Sequence, residues 1–145
     1  MIDDELWNQI EDPLTGRAHH YRLVGQSFQP VSLREWATIT MQGEDRRVRL
    51  TRVGPFEIST VFLGLDHNFF GDGPPILFET MTFLRGEGLQ DAEGMNDEDG
   101  RACTWPEAER MHQRAVDWIV RLYAAPGEEP VDITGDEAST ARSFG

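Results

Sequence analysis

The chain of 145 residues has no lysine, and all 13 of its basic residues are arginine. Arginine codons are GC-rich, so this bias fits a GC-rich genome and carries no mechanism by itself. There is one cysteine, Cys103, which excludes an internal disulfide framework and any multi-cysteine zinc or iron–sulfur site. No apolar run approaches the roughly 20 residues that span a bilayer. The opening residues, Met1-Ile2-Asp3-Asp4-Glu5, lack the basic and apolar regions of a signal peptide. A soluble protein of the cytoplasm is therefore expected. There is no internal repeat and no low-complexity block.

What is present reads as globular. Hydrophobic residues make up 39% and charged residues 27%. The length suits one domain, which can bury roughly two-thirds of its extended surface. The expected organisation is a single domain over residues 1–125 and a flexible acidic tail over 126–145, where large apolar side chains are few.

Acidic residues number 26 against 13 basic, a formal net charge of -13. That balance disfavours nucleic acid and anionic membranes as partners and favours a protein with a basic surface. The charge is uneven. Residues 87–99 hold Glu87, Asp91, Glu93, Asp97, Glu98 and Asp99 with no basic residue among them, whereas Arg46, Arg47, Arg49 and Arg52 make a local basic stripe.

Local patterns predict the elements. Tyr21 to Val24 reads as a short strand. Ser32 and Glu35 form a capping box for a helix over 33–41, which Gly43 ends. Residues 47–53, 56–65 and 76–84 read as strands rich in β-branched and aromatic residues. The first two are joined by the Gly54-Pro55 turn, the last two by the turn-rich loop 66–75. Arg101 to Cys103 suits an edge strand. Thr104, Pro106 and Glu107 open a helix over 105–123, with Met111, Ala115, Trp118, Ile119 and Leu122 on one stripe. These elements predict an α+β domain: a small antiparallel sheet of three or four strands packed against a long C-terminal helix, plus a shorter helix. The stripe belongs either on the Phe56, Ile58 and Phe62 face or on the opposite face with Val61, Leu77 and Met81.

One constellation could carry chemistry. Asp66 and His67 lie at the mouth of the hairpin, Glu79 shares a strand face with Leu77 and Met81, and His112 borders the helix stripe. Two imidazoles and two carboxylates could run acid/base catalysis, and His67, Glu79 and His112 could hold a divalent metal. The structural alternative has Asp66 capping a turn, both histidines serving backbone groups and Glu79 paired with a neighbouring arginine. No ligand-spacing motif of the H-E-x-x-H or C-x-x-C type is present, and no organic cofactor is expected. His19-His20 reads as an exposed pair and Cys103 as a small core residue. Residues 96–100 lack the ligand pattern of a calcium loop. Gly71-Asp72-Gly73 lacks the lysine and helix of a phosphate loop, and Ser59 lacks a nucleophile elbow.

The segments LREWATITMQGEDRRVRLTRV, STVFLGLDHNFFGDGPPILFETMTF and TWPEAERMHQRAVDWIV occur in that order. Over residues 31–122 the chain resembles a group of small proteins encoded by tailed phages and prophages of GC-rich bacteria, most specifically in GLDHNF and GPPILFETM. The group carries no assigned activity, so the resemblance implies an origin and a bacterial host, not a catalytic residue. The acidic insertion 86–100 and the acidic tail depart from its pattern. Two readings follow. One is a non-catalytic accessory protein that binds a host macromolecule, as an inhibitor of a defence system would. The other is a small enzyme or metal- or ligand-binding protein centred on Asp66, His67, Glu79 and His112.

Overall fold

The computed structural model describes residues 7–43, 45–68, 73–84, 90–91 and 100–135. Three strands carry the architecture: β3 (Arg47–Val53), β4 (Phe56–Phe62) and β5 (Phe78–Leu84), each antiparallel to the next. A two-residue turn, Gly54-Pro55, joins β3 to β4 and sets Val53 opposite Phe56. Gly54 has φ +54, as the first central residue of such a turn requires. A second constraint acts there: a Cβ on Gly54 would fall 1.9 Å from Glu128 Oε2.

Helices accompany the strands. In α1 (Leu33–Met41), Ser32 Oγ accepts from Glu35 N at 3.1 Å, the cap foreseen from sequence. In α2 (Trp105–Tyr123), Thr104 Oγ1 accepts from Glu107 N at 3.3 Å, and Glu107 Oε2 accepts from Cys103 N at 3.2 Å. The α2 residues Ala108, Met111, His112, Ala115, Val116 and Ile119 are buried, the period of one helical face.

Strand alternation decides which sheet face α2 covers. Phe56, Ile58, Thr60 and Phe62 lie on one face of β4, and Glu57, Ser59 and Val61 on the other. Met111 and Ala108 pack with Phe62, Phe78, Leu77 and Val48. Ala115, Val116 and Ile119 pack with Phe56, Ile58 and Val53. The helix therefore sits on the Phe56–Phe62 face, with Trp118 partly buried against the second cluster.

The fold is α+β, and three findings go beyond the expected small sheet. Among the described residues the main sheet has six strands, not three or four. The extra ones are β6 (Gln90–Asp91), β7 (Arg101–Ala102) and β8 (Val131–Asp132), each of two residues and too short to show an alternating pattern. Of these, β7 matches the edge strand expected at 101–103. A separate ribbon, β1 (His20–Val24) with β2 (Ser27–Val31), was foreseen only in its first strand. Pro30 reads as a helix opener, but a two-stranded ribbon tolerates proline on a free edge. Finally, the segment expected as a flexible tail returns to the sheet at 131–132, where Thr51 pairs with Asp132 and Arg52 with Val131. Residues 136–145 and most of the acidic insertion lie outside the described residues.

The ribbon closes the end of the core near the 66–75 loop. Phe28 stacks on Phe62 with ring centroids 6.5 Å apart and meets Phe78 edge-on. Helix α1 packs on this ribbon, Trp36 against His20 at 5.2 Å. Tyr21 N donates to Gly64 O at 2.8 Å, which brings Gly64 so close to Trp36 that a Cβ there would lie 2.7 Å from Nε1.

Candidate functional site

His112 is the most enclosed of the four candidates, with 1% of its surface exposed. Helix α2 drives it into the sheet midway between the two apolar clusters. Nε2 lies 2.8 Å from Thr51 Oγ1 and Nδ1 lies 2.7 Å from Thr60 Oγ1. Thr60 Oγ1 is in turn 2.5 Å from Thr80 Oγ1, directly across the β4–β5 pair. Burial, aided by the nearby Arg49 guanidinium and partly opposed by Asp132, pushes the imidazole down to about 4. At neutral pH the ring is uncharged, with one nitrogen donating and one accepting, and hydroxyls can serve either. Such a group is sealed from solvent and titrates far from neutrality, which unfits it as a general base near pH 7.

Asp66 closes the loop. Its Oδ1 accepts from Asn68 N at 2.8 Å and Ile76 N at 3.0 Å, which ties the two ends of the 66–75 loop together. Arg17 Nε donates to Oδ2 at 2.9 Å, and Arg17 Nη1 donates to Gly73 O at 3.0 Å. The carboxylate is buried by a cation and two amides, the turn-capping role of the structural alternative. His67 is half-buried, and its backbone N donates to Ile76 O at 2.9 Å. Glu79 lies opposite Val61, one residue out of phase with Thr80, so it points away from α2 and His112. Its Oε1 is 3.8 Å from Arg101 Nε, an arginine of the neighbouring strand β7.

The structure thus separates Glu79 from His112 by the thickness of the sheet. Among the described residues no three His, Cys, Asp or Glu side chains stand close enough to hold a metal ion. The two other histidines are also engaged: His19 Nε2 is 3.0 Å from Asp12 Oδ2, and His20 lies on Trp36. Burial lowers His20 and raises the Cys103 thiol, which disfavours the thiolate. A crevice between α1 and the ribbon, lined by Tyr21, Leu23, Trp36, Ile39 and Phe62, has about 10 Å³ of space. That volume holds about one water molecule.

Comparison with known proteins finds no matching family model, no matching curated protein and no matching solved structure. The site is therefore read from its own geometry.

Sequence reasoning missed one buried charge. Glu57 is fully buried on the face opposite α2, with Oε1 3.2 Å from Arg52 Nη2. A signal existed: once Gly54-Pro55 is taken as a two-residue turn, 53 pairs with 56 and 52 with 57, so an arginine and a glutamate must face each other. The threonine partners of His112 were also missed, although Thr60 interrupts the otherwise apolar face of β4 that carries Phe56, Ile58 and Phe62. Among the described residues no helix is long and apolar enough to cross a membrane.

Proposed function

We propose that this is a non-catalytic accessory protein that acts by binding a protein of a bacterial host, in the phage or prophage setting its sequence resembles. The observation that carries the reading is the employment of its reactive side chains. Asp66 braces a loop, Glu79 pairs with Arg101, and His112 is walled in by threonines. A binder needs surface complementarity, not a converged set of acids and bases. The net charge of -13 supplies long-range attraction towards a basic partner and speeds encounter.

Affinity capture from host extract across steps of salt tests this. One basic protein should be retained at about 0.1 M salt and released towards 1 M, where the screening length falls to about 3 Å. The purified pair should then bind in calorimetry. Recovery of no specific partner at any salt overturns the reading, as does turnover of a substrate that disappears in a His112→Gln variant that stays folded.

A further inference from the structure

Among the described residues, the outer edge of β3 is covered by four, 131–134. Two cross-strand pairs hold them, Thr51 with Asp132 and Arg52 with Val131. Ile133 N donates to Leu50 O at 2.9 Å, Leu50 N donates to Thr134 Oγ1 at 3.1 Å, and Arg47 Nη1 donates to Thr134 O at 2.9 Å. Burial adds little. Ile133 alone packs, partly buried, on the cluster of Leu50 and Phe83, while Val131 is 55% exposed. A segment held by a few hydrogen bonds and one partly buried apolar side chain opens at low cost.

The charges on this edge run against those of the whole molecule. Arg47, Arg49 and Arg52 line β3, and the strap laid over them is acidic, with Glu128 and Glu129 leading into it. Asp132 Oδ2 stands 3.7 Å from Arg49 Nη2. The Thr134 hydroxyl and amide hold the Asp132 carboxyl below its usual range, so it is ionised. The strap is thus a cis ligand whose charge and shape report what the edge accepts. An uncovered β3 would present amide and carbonyl groups ready to pair with another strand.

We propose that the outer edge of β3 is a strand-docking seat, held shut in cis by residues 131–134. Its partner is an extended protein segment with a carboxylate set against Arg49, followed by a branched apolar residue on the Leu50–Phe83 cluster. Arg49, on the face that takes the carboxylate, rejects a cation at that position by like-charge repulsion and so makes the edge selective. This goes beyond the binding role proposed above: it rests on the local edge, not on the net charge.

The test uses the full chain and a labelled peptide of its own residues 129–137, EPVDITGDE, followed by fluorescence anisotropy. Two variants loosen the strap: Ile133→Asp removes its apolar anchor, and Thr134→Val removes the hydroxyl that receives Leu50 N while leaving the core untouched. Each should bind the peptide at least about tenfold more tightly than the parent chain, a change of roughly 1.4 kcal/mol. A peptide in which the aspartate matching Asp132 is replaced by arginine should not bind. Equal affinity for parent and Thr134→Val, or equal affinity for the arginine peptide, refutes the seat. If Ile133→Asp fails to fold by circular dichroism, Thr134→Val alone decides.

Discussion

Acidification should weaken this protein well before its carboxylates titrate, and His112 is the reason. The imidazole has an ordinary value of 6.5, which its surroundings, burial first, lower to about 4 in the folded chain. In the unfolded chain the ring regains water and titrates normally. Between those values the unfolded state binds the extra proton, so stability falls as pH drops. The contribution is complete above about pH 6.5 and is lost progressively down to about pH 4. The whole shift corresponds to about 3 kcal/mol, and roughly 2 kcal/mol of it is lost between pH 7 and pH 5. Urea unfolding at pH 7, 6 and 5 measures this loss directly. His112→Gln removes the titrating group while keeping a polar side chain in the threonine row. It should start less stable at pH 7 yet decline far less towards pH 5. In the parent chain, the imidazole proton resonance of His112 should not move until below pH 5. The reasoning is refuted if His112→Gln and the parent lose stability in parallel, or if that resonance titrates near 6.5.

Three further outcomes are expected. Asp66→Ala removes the acceptor for Asn68 N, Ile76 N and Arg17, and should cost about 3 kcal/mol in urea unfolding, given the worth of hydrogen bonds to a charged group. Glu79→Gln disturbs only a half-exposed pair at 3.8 Å and should cost under about 1 kcal/mol by the same measurement. Gly64→Ala places a Cβ at φ +72 and 2.7 Å from Trp36 Nε1, so it should lower stability by at least about 1 kcal/mol and shift the tryptophan emission.

Helix α2 and the β3–β4–β5 meander were legible because their local signals agree. The Thr104 and Glu107 capping box, the Gly54-Pro55 turn and the periodic apolar residues all point to one arrangement. The face that α2 covers was not legible from hydrophobicity, since both faces of β4 and β5 carry large apolar residues. The deciding feature is polar. Thr51, Thr60 and Thr80 lie on the face that His112 needs, and only a three-dimensional register brings them together. The ribbon strand β2 was hidden by Pro30, and β8 by its two-residue length. Of the candidate site, the structural alternative for Asp66 and Glu79 could be written from loop chemistry and a nearby arginine. The Arg17 clamp could not, because 49 residues separate it from Asp66.

The threonine row under α2 also sets where along the sheet that helix stops. Two apolar clusters lie in line beneath it, one around Met111 and Phe62 and one around Ile119 and Ile58. Leucine-like surfaces of this kind tolerate sliding, since a helix moved by one turn of about 5.4 Å meets another apolar patch. His112 sits between the clusters and breaks that degeneracy. A one-turn slip would carry both ring nitrogens beyond hydrogen-bond reach of Thr51 and Thr60, strip the imidazole and the Thr51 hydroxyl of these bonds, and leave Thr60 bonded to Thr80 alone. The polar seam therefore works as a detent: it adds little to cohesion, but among near-equal helix placements it leaves one that satisfies every group in the row.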